Sequence, residues 1–113
     1  SAASDVYKRQ EQYRLRRDYV MRRISEIPGL SCHAPAGTFY AFIDISQLGM
    51  PCEEFAMKLL EERQVVVVPG TAFGEFGEGY IRLSYATSMQ CLEQGLQELE
   101  EFVRSHKTEG DPA

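Results

Sequence analysis

The sequence predicts an α/β protein in which helices alternate with strands. Three segments repeat apolar residues at helical spacing, and the segments between them alternate apolar and polar residues as strands do. A chain of 113 residues with 43% hydrophobic and 26% charged residues suits one globular domain. The predicted order is helix, strand, helix, strand, strand, helix.

Each predicted helix has an apolar stripe and a recognisable end. The first covers residues 13–27 and stops at a Pro-Gly pair. The second covers residues 51–63, where Pro51 suits a first helical turn. The last begins at Thr87 and Gln90, which have the spacing of a capping box. The helices are expected to bury Val20, Ile24, Ile27, Phe55, Leu59, Leu92, Leu96, Leu99 and Val103.

Three strands are predicted between the helices. Residues 37–46 are largely apolar on both faces, which predicts a central strand covered on two sides. Residues 65–68 form a short β-branched run. In residues 80–85, Ile81, Leu83 and Tyr85 alternate with polar positions, so one face belongs to the core and the other carries Arg82.

Arg82 is the main candidate for a binding residue. Its charge is permanent, and its planar set of N–H donors fits a carboxylate through two hydrogen bonds. A rigid strand that presents such a group suits a small carboxylate ligand. The alternative is an internal salt bridge, for instance to Asp44 on another strand, and from the chemistry alone this alternative is the more common arrangement.

A glycine-rich loop, residues 70–79, precedes Arg82. Its glycines follow no G-x-G-x-x-G order, no Lys-Ser/Thr pair follows them, and Glu75 and Glu78 would repel an anion. A phosphate-binding loop is therefore not predicted. The glycines instead allow sharp turns and close approach to another surface.

Residues 65–88 contain a long ordered motif. The pattern VVPG-x-x-FG followed by G-x-x-R-x-S-[YF]-A occurs in order, with PAGTFYAFIDIS upstream at residues 35–46. The matching residues are Val67, Val68, Pro69, Gly70, Phe73, Gly74, Gly79, Arg82, Ser84, Tyr85 and Ala86. With this motif, residues 13–102 resemble the C-terminal small domain of class I and II aminotransferases. The resemblance implies a small α/β sandwich in which a short, mainly antiparallel sheet is covered by helices.

The resemblance implies specific roles for some of these residues. It implies that Arg82 binds the α-carboxylate of an amino acid or 2-oxo acid, and that Tyr40, Gly37 and Phe73 line the cleft. Phe42 is a further candidate for the cleft, and core packing is the alternative for both Tyr40 and Phe42. The loop of residues 70–79 is then expected to be a mobile gate beside the cleft.

The resemblance also implies a cofactor, pyridoxal phosphate, which needs a lysine for its Schiff base. The three lysines are Lys8, Lys58 and Lys107, and none has the Ser-Lys-x-x-x-x-x-Gly setting of the family's lysine. We therefore expect no catalytic residue in this chain. It is interpreted as a fragment that is inactive alone, whose cofactor is bound mainly by a large domain outside it.

Both ends of the chain are expected to lie outside the domain. Residues 1–10 include DVYKRQ, which resembles translated sequencing-adaptor sequence, so the small domain is assigned to residues 11–105. Residues 106–113 are assigned to a tail.

Charge and cysteine content narrow the partners and the compartment. Five arginines lie in residues 11–23, but the net charge is −5 and no aromatic series accompanies them, so no nucleic-acid partner is predicted. No apolar run reaches the length of a membrane span. Three widely spaced cysteines suit a reducing, cytoplasmic compartment, with an organelle left open. Packing is preferred over metal ligation for Cys32 and His33, so no metal is predicted.

The expected function of the full-length protein is amino-group transfer between an amino acid and a 2-oxo acid, by a homodimer. Two alternatives stay open. One is a related pyridoxal phosphate enzyme, either a carbon-sulfur lyase or a cyclopropane-forming synthase. The other is a non-catalytic carboxylate-binding domain. The donor and acceptor specificity is not predicted.

Overall fold

A computed structural model describes the backbone of residues 2–35 and 38–110, and the side chains of residues 7–35 and 38–106. This part of the chain forms three α-helices and four β-strands. In chain order they are α1 (Ala2–Ser25), β1 (Ser31–His33), β2 (Tyr40–Asp44), α2 (Cys52–Arg63), β3 (Val68–Pro69), β4 (Tyr80–Ser84) and α3 (Met89–Gly110).

The four strands form one sheet in the order β1-β2-β4-β3, and every neighbouring pair is antiparallel. Strand β2 is central, as predicted. Ala41 pairs with Leu83 and Ile43 with Ile81, so the apolar residues of the two inner strands meet on the same face. The predicted class, a small α/β sandwich with an antiparallel sheet, is confirmed.

All three helices pack on one face of this sheet. Helix α3 contacts both α1 and α2, while α1 contacts β1 and β2 and α2 contacts β3 and β4. The residues predicted for the helix stripes are buried between these two layers. The buried core comprises Val20, Ile24, Ile27, Ala41, Ile43, Ile45, Cys52, Phe55, Leu59, Val67, Ile81, Leu83, Tyr85, Leu92, Leu96, Leu99, Phe102 and Val103.

The prediction that the strand at residues 37–46 is covered on both faces is wrong for the residues described. Tyr40 is exposed, and Phe42 and Asp44 are only half-buried, whereas Ala41 and Ile43 are fully buried. The reason is that the helices lie in one layer, so none of the described helices covers the second face. Burial in the core therefore does not explain why Tyr40 and Phe42 on that face are aromatic.

An ion pair joins the first and last helices. Arg23 on α1 donates to Glu100 on α3 over 2.9 Å, and both side chains are largely shielded from water. This hydrogen bond raises the pKa of Arg23 and lowers the pKa of Glu100. Arg63 on α2 also contacts Glu98 of α3 at 3.3 Å. Charged groups thus reinforce the packing of α3 against its two neighbours.

Several predicted boundaries are displaced. Helix α2 starts one residue late, with Pro51 as its N-cap. Helix α3 is capped by Ser88, whose Oγ accepts from the Cys91 N–H over 3.1 Å, so Thr87 is not the cap.

The helical backbone of α1 and α3 continues through the predicted domain limits at residues 11 and 105. The adaptor origin of residues 1–10 stays a prediction, because helical geometry says nothing about origin.

The predicted strand at residues 65–68 is also wrong in extent. The observed strand β3 is only Val68–Pro69. Gln64 adopts a left-handed conformation, with φ of 59°, and directs the chain away from α2 before pairing begins. Proline is compatible with β3 because this strand lies at the sheet edge. Strand β1 was not among the three predicted strands.

Among the described residues, no helix has both the length and the apolar character needed to cross a lipid bilayer.

The glycine loop folds back on itself at two of its glycines. A Cβ built on Gly70 would lie 2.0 Å from the carbonyl oxygen of Gly77, and one built on Gly77 would lie 1.9 Å from that of Gly70. Non-bonded atoms in real proteins do not approach so closely. The two backbone segments therefore touch only because neither residue has a side chain.

We expect Gly70→Ala to destabilise the protein by about 1–3 kcal/mol, because the added methyl group collides with backbone that cannot rotate away. Gly95→Ala is the matched control, since Gly95 lies within α3 and a Cβ there meets nothing within 4 Å. It should stabilise by up to about 1 kcal/mol through helix propensity. Urea unfolding of both variants measures the difference, and equal stability of the two would contradict the close contact.

Candidate functional site

Arg82 lies on the face of the sheet that the helices leave uncovered. In the strand register it is directly opposite Phe42 on β2 and Val68 on β3. It is half-buried, whereas its strand neighbours Ile81 and Leu83 point into the core and are buried. The predicted alternation of β4 is therefore confirmed. The guanidinium lies on a rigid sheet and remains accessible.

Two aromatic rings contact the Arg82 guanidinium. Its Cζ lies 4.1 Å from the centre of the Tyr40 ring and 4.4 Å from the centre of the Phe73 ring. Both distances are inside the range of about 6 Å for cation-π attraction. The structure thus brings together three of the four residues that the sequence singled out. The fourth, Gly37, lies outside the described residues.

The internal salt bridge considered from the sequence is not formed. Asp44 Oδ1 instead accepts hydrogen bonds from the Ser46 N–H at 2.9 Å and the Ser46 hydroxyl at 2.6 Å. Within the described residues, no carboxylate lies within ion-pair distance of Arg82. Arg82 is therefore a fixed cation in contact with rings, and its donors can accept an external anion.

Tyr85 ties the chain before Tyr40 to the end of β4. Its hydroxyl donates to the Thr38 carbonyl over 2.6 Å, and its N–H donates to the Phe39 carbonyl over 2.9 Å. The sequence placed Tyr85 on the core face without this role. The tyrosine at this core position could have predicted the role, because a buried tyrosine hydroxyl needs a hydrogen-bond partner. Through these bonds Tyr85 helps to place Tyr40 beside Arg82.

The glycine loop that carries Phe73 is attached to the start of α2. Glu78 Oε2 accepts from the N–H groups of Cys52 and Gly79, both at 2.8 Å, and these bonds lower the pKa of Glu78. The Thr71 hydroxyl donates to Glu53 over 2.9 Å. Glu78 therefore satisfies a free N–H at a helix N-terminus, where negative charge is favourable.

Two of the three lysines have side chains in the described part of the chain. Lys58 lies on α2, 3.4 Å from Glu54, and Lys8 is exposed on α1. Neither makes a cation-π contact with Tyr40 or Phe73 in the described part of the chain. The side chain of Lys107 lies outside the described residues, so the expectation that this chain lacks the Schiff-base lysine stays a prediction.

Cys32 and His33 lie on β1, and burial raises the pKa of the Cys32 thiol to about 11. The thiol is thus protonated at neutral pH and is a poor nucleophile. Across the described residues, no cluster of three or more His, Cys, Asp or Glu side chains could hold a metal ion.

Comparison with known proteins gives consistent results. A family model described as aminotransferase class I and II matches residues 1–99. The aspartate aminotransferase of Pyrococcus horikoshii is 43% identical over 102 residues, which are 90% of this chain and 26% of that protein. The chain thus spans about a quarter of the length of such relatives.

Solved structures agree in fold. The aromatic aminotransferase from Pyrococcus horikoshii OT3 superposes with a TM-score of 0.87 at 38% identity, covering 92% of this chain and 28% of that one. A PLP-bound protein from Clostridium difficile 630 superposes with a TM-score of 0.77 at 30% identity, covering 82% of this chain and 24% of that one.

We expect the contribution of Glu78 to stability to depend on pH. Its pKa is lowered in the folded state, so the contribution is complete above its unfolded pKa of about 4.3 and is lost as the pH falls through the folded pKa. The side chain introduced by Glu78→Gln is uncharged, as the protonated carboxylic acid is. The difference in unfolding free energy between the natural chain and this variant should therefore be largest near pH 6 and shrink below about pH 4.

Denaturant titrations at several pH values measure this difference. Glu75→Gln removes one negative charge from the same loop and is the matched control. A difference for Glu78→Gln that stays constant from pH 6 to about pH 3, or that merely equals the control, would contradict the role of the carboxylate as a helix cap.

Proposed function

Because this chain belongs to the class I and II aminotransferase family, we propose that it is the carboxylate-binding part of a pyridoxal phosphate-dependent aminotransferase. The observation that carries this proposal is the state of Arg82. It is half-buried on an open sheet face, in contact with two rings, and not paired with any carboxylate among the described residues. This is what a site for the acid group of a metabolite requires.

The proposed role of Arg82 follows from what the two substrates share. An amino acid and a 2-oxo acid both carry a carboxylate that is bonded directly to the reacting carbon. A planar guanidinium holds both oxygens of such a carboxylate and thereby sets the orientation of the whole molecule. Since the reacting bond must be aligned for reaction, this orientation contributes to the rate as well as to affinity.

The remaining chemistry is assigned to residues outside this chain. Pyridoxal phosphate, when bound, supplies the electron sink for reaction at the α-carbon. Lys58 is paired with Glu54 on α2, and the relatives are about four times as long as the region that they share with this chain. We infer that the cofactor and its lysine are held by such additional sequence, and that the 113 residues alone are inactive.

The identity of the amino donor is not set by this region. The aspartate aminotransferase and the aromatic aminotransferase of Pyrococcus horikoshii are 43% and 38% identical to it over nearly the whole chain. Proteins with different named substrates thus share this region. Binding of the common carboxylate, rather than choice of side chain, is the function that this similarity supports.

We further propose that the full-length enzyme is a homodimer and that it lies in the cytoplasm. Light scattering of the purified enzyme measures its oligomeric state, and a monomer at the concentration used for assays would contradict the first proposal. Microscopy of a carboxyl-terminal fluorescent fusion tests the second.

We expect Arg82→Lys in the full-length enzyme to lower kcat/KM by roughly 30- to 900-fold. This corresponds to about 2–4 kcal/mol for the loss of one bidentate contact between a guanidinium and a carboxylate. The absorbance of the bound cofactor should be unchanged, because Arg82 is not proposed to touch it. Steady-state kinetics with an amino acid and a 2-oxo acid measure the effect.

The matched control is Arg14→Lys. Arg14 is an exposed arginine on α1 whose partner, Glu11, lies three residues away on the same helix. Its substitution should leave kcat/KM unchanged. Near-natural kinetics for Arg82→Lys would show that the carboxylate is bound elsewhere. Release of free ammonia and a thiol would favour a carbon-sulfur lyase, and formation of a cyclopropane amino acid would favour a synthase.

A further inference from the structure

We propose that Tyr40 and Phe73 are positioning residues that hold the guanidinium of Arg82 and leave its N–H edge available for a carboxylate. This inference rests on the proposed function of Arg82 and concerns how that site is kept ready. We call the two rings the ring pair. The ring pair acts through Arg82 and is not proposed to contact the reacting atoms.

The first argument is geometric. Both ring centres lie within 4.4 Å of Cζ, the central carbon of the guanidinium. The N–H donors of that group point outward in its plane, whereas aromatic rings attract its flat surface. Contact with the two rings near Cζ therefore restricts rotation of the guanidinium plane. It does not occupy the N–H donors. A carboxylate meets a group that is already oriented.

The second argument is exposure. Tyr40 is 38% exposed and Phe73 is 51% exposed, so neither ring is part of the buried core. Core packing, the alternative considered for Tyr40 from the sequence, therefore does not account for either ring in this structure. Their common neighbour on the open face is the Arg82 guanidinium.

The third argument is that the two rings come from parts of the chain that are held independently. Tyr40 belongs to β2, where it pairs with Ser84 of β4, the strand that also carries Arg82. Phe73 ends a 3₁₀ turn, Gly70–Phe73, in the glycine loop, and its ring meets Phe42 edge-on at 6.4 Å. The orientation of Arg82 thus depends on the sheet and on the attachment of the loop to α2.

This arrangement changes the expectation of a gate at residues 70–79. The loop carries one of the two rings, so its displacement would free the arginine as well as open the site. Binding of a carboxylate to Arg82 and ordering of the loop are therefore linked, because the oriented guanidinium favours both.

The first experiment observes Arg82 directly in the 113-residue chain. Proton-nitrogen spectra of the arginine side chains report the Nε–H group, and Arg82→Lys identifies its resonance by removing it. A proton above an aromatic ring is shifted to lower frequency. We expect that shift to decrease in Tyr40→Leu and in Phe73→Leu, and to persist in Tyr40→Phe, which keeps a ring.

Phe76→Leu is the matched control. Phe76 lies in the same loop, is 93% exposed, and is not among the rings in contact with Arg82. The control should leave the Arg82 resonance in place, and backbone amide spectra report whether each variant is folded. An Arg82 resonance that is unchanged in folded Tyr40→Leu and Phe73→Leu, or equally changed in Phe76→Leu, overturns the proposal.

The second experiment uses the full-length enzyme and separates KM from kcat. Loss of either ring should raise KM for both substrates by roughly three- to thirtyfold, the range of one cation-π contact, with a smaller change in kcat. Phe76→Leu should change neither. Unchanged KM in Tyr40→Leu and Phe73→Leu, when Arg82→Lys is strongly impaired, defeats the ring pair alone. Near-natural Arg82→Lys kinetics defeat the proposed function as well.

Discussion

The one-sided packing of the sheet is the constraint on which the rest of this structure depends. Because the three helices form a single layer, the strand residues that alternate with the core face an open surface. Arg82 occupies that surface at the centre of the sheet, between β2 and β3. A permanent charge would be costly in the core, whereas on a rigid open face it remains solvated and available for an anion.

The aromatic residues around Arg82 resolve an apparent contradiction in β2, which has apolar residues on both faces. One set, Ala41 and Ile43, packs under the helices, and the other, Tyr40 and Phe42, borders the arginine and Phe73. Aromatic rings can attract a cation without neutralising it. Such surroundings keep the guanidinium ordered without supplying the carboxylate that it is proposed to bind.

The glycine loop illustrates how a short segment can depend on distant parts of the fold. Gly70 and Gly77 allow the backbone to double back, while Glu78 and Thr71 attach the loop to the beginning of α2. The acidic side chain that looked unfavourable for anion binding is used to cap a helix. The same loop places Phe73 against Arg82, so stability and the candidate site share these contacts.

The sequence by itself determined the fold class, the apolar stripes of the helices, the central place of β2, and the strand face that carries Arg82, since these depend on local periodicity. The partners of Arg82, the short β3 and the bond from Tyr85 to Thr38 were decided by tertiary structure. The physical reason is that each depends on distances between segments far apart in the chain. Local patterns cannot tell whether a second sheet face is covered or whether an arginine meets an acid or a ring.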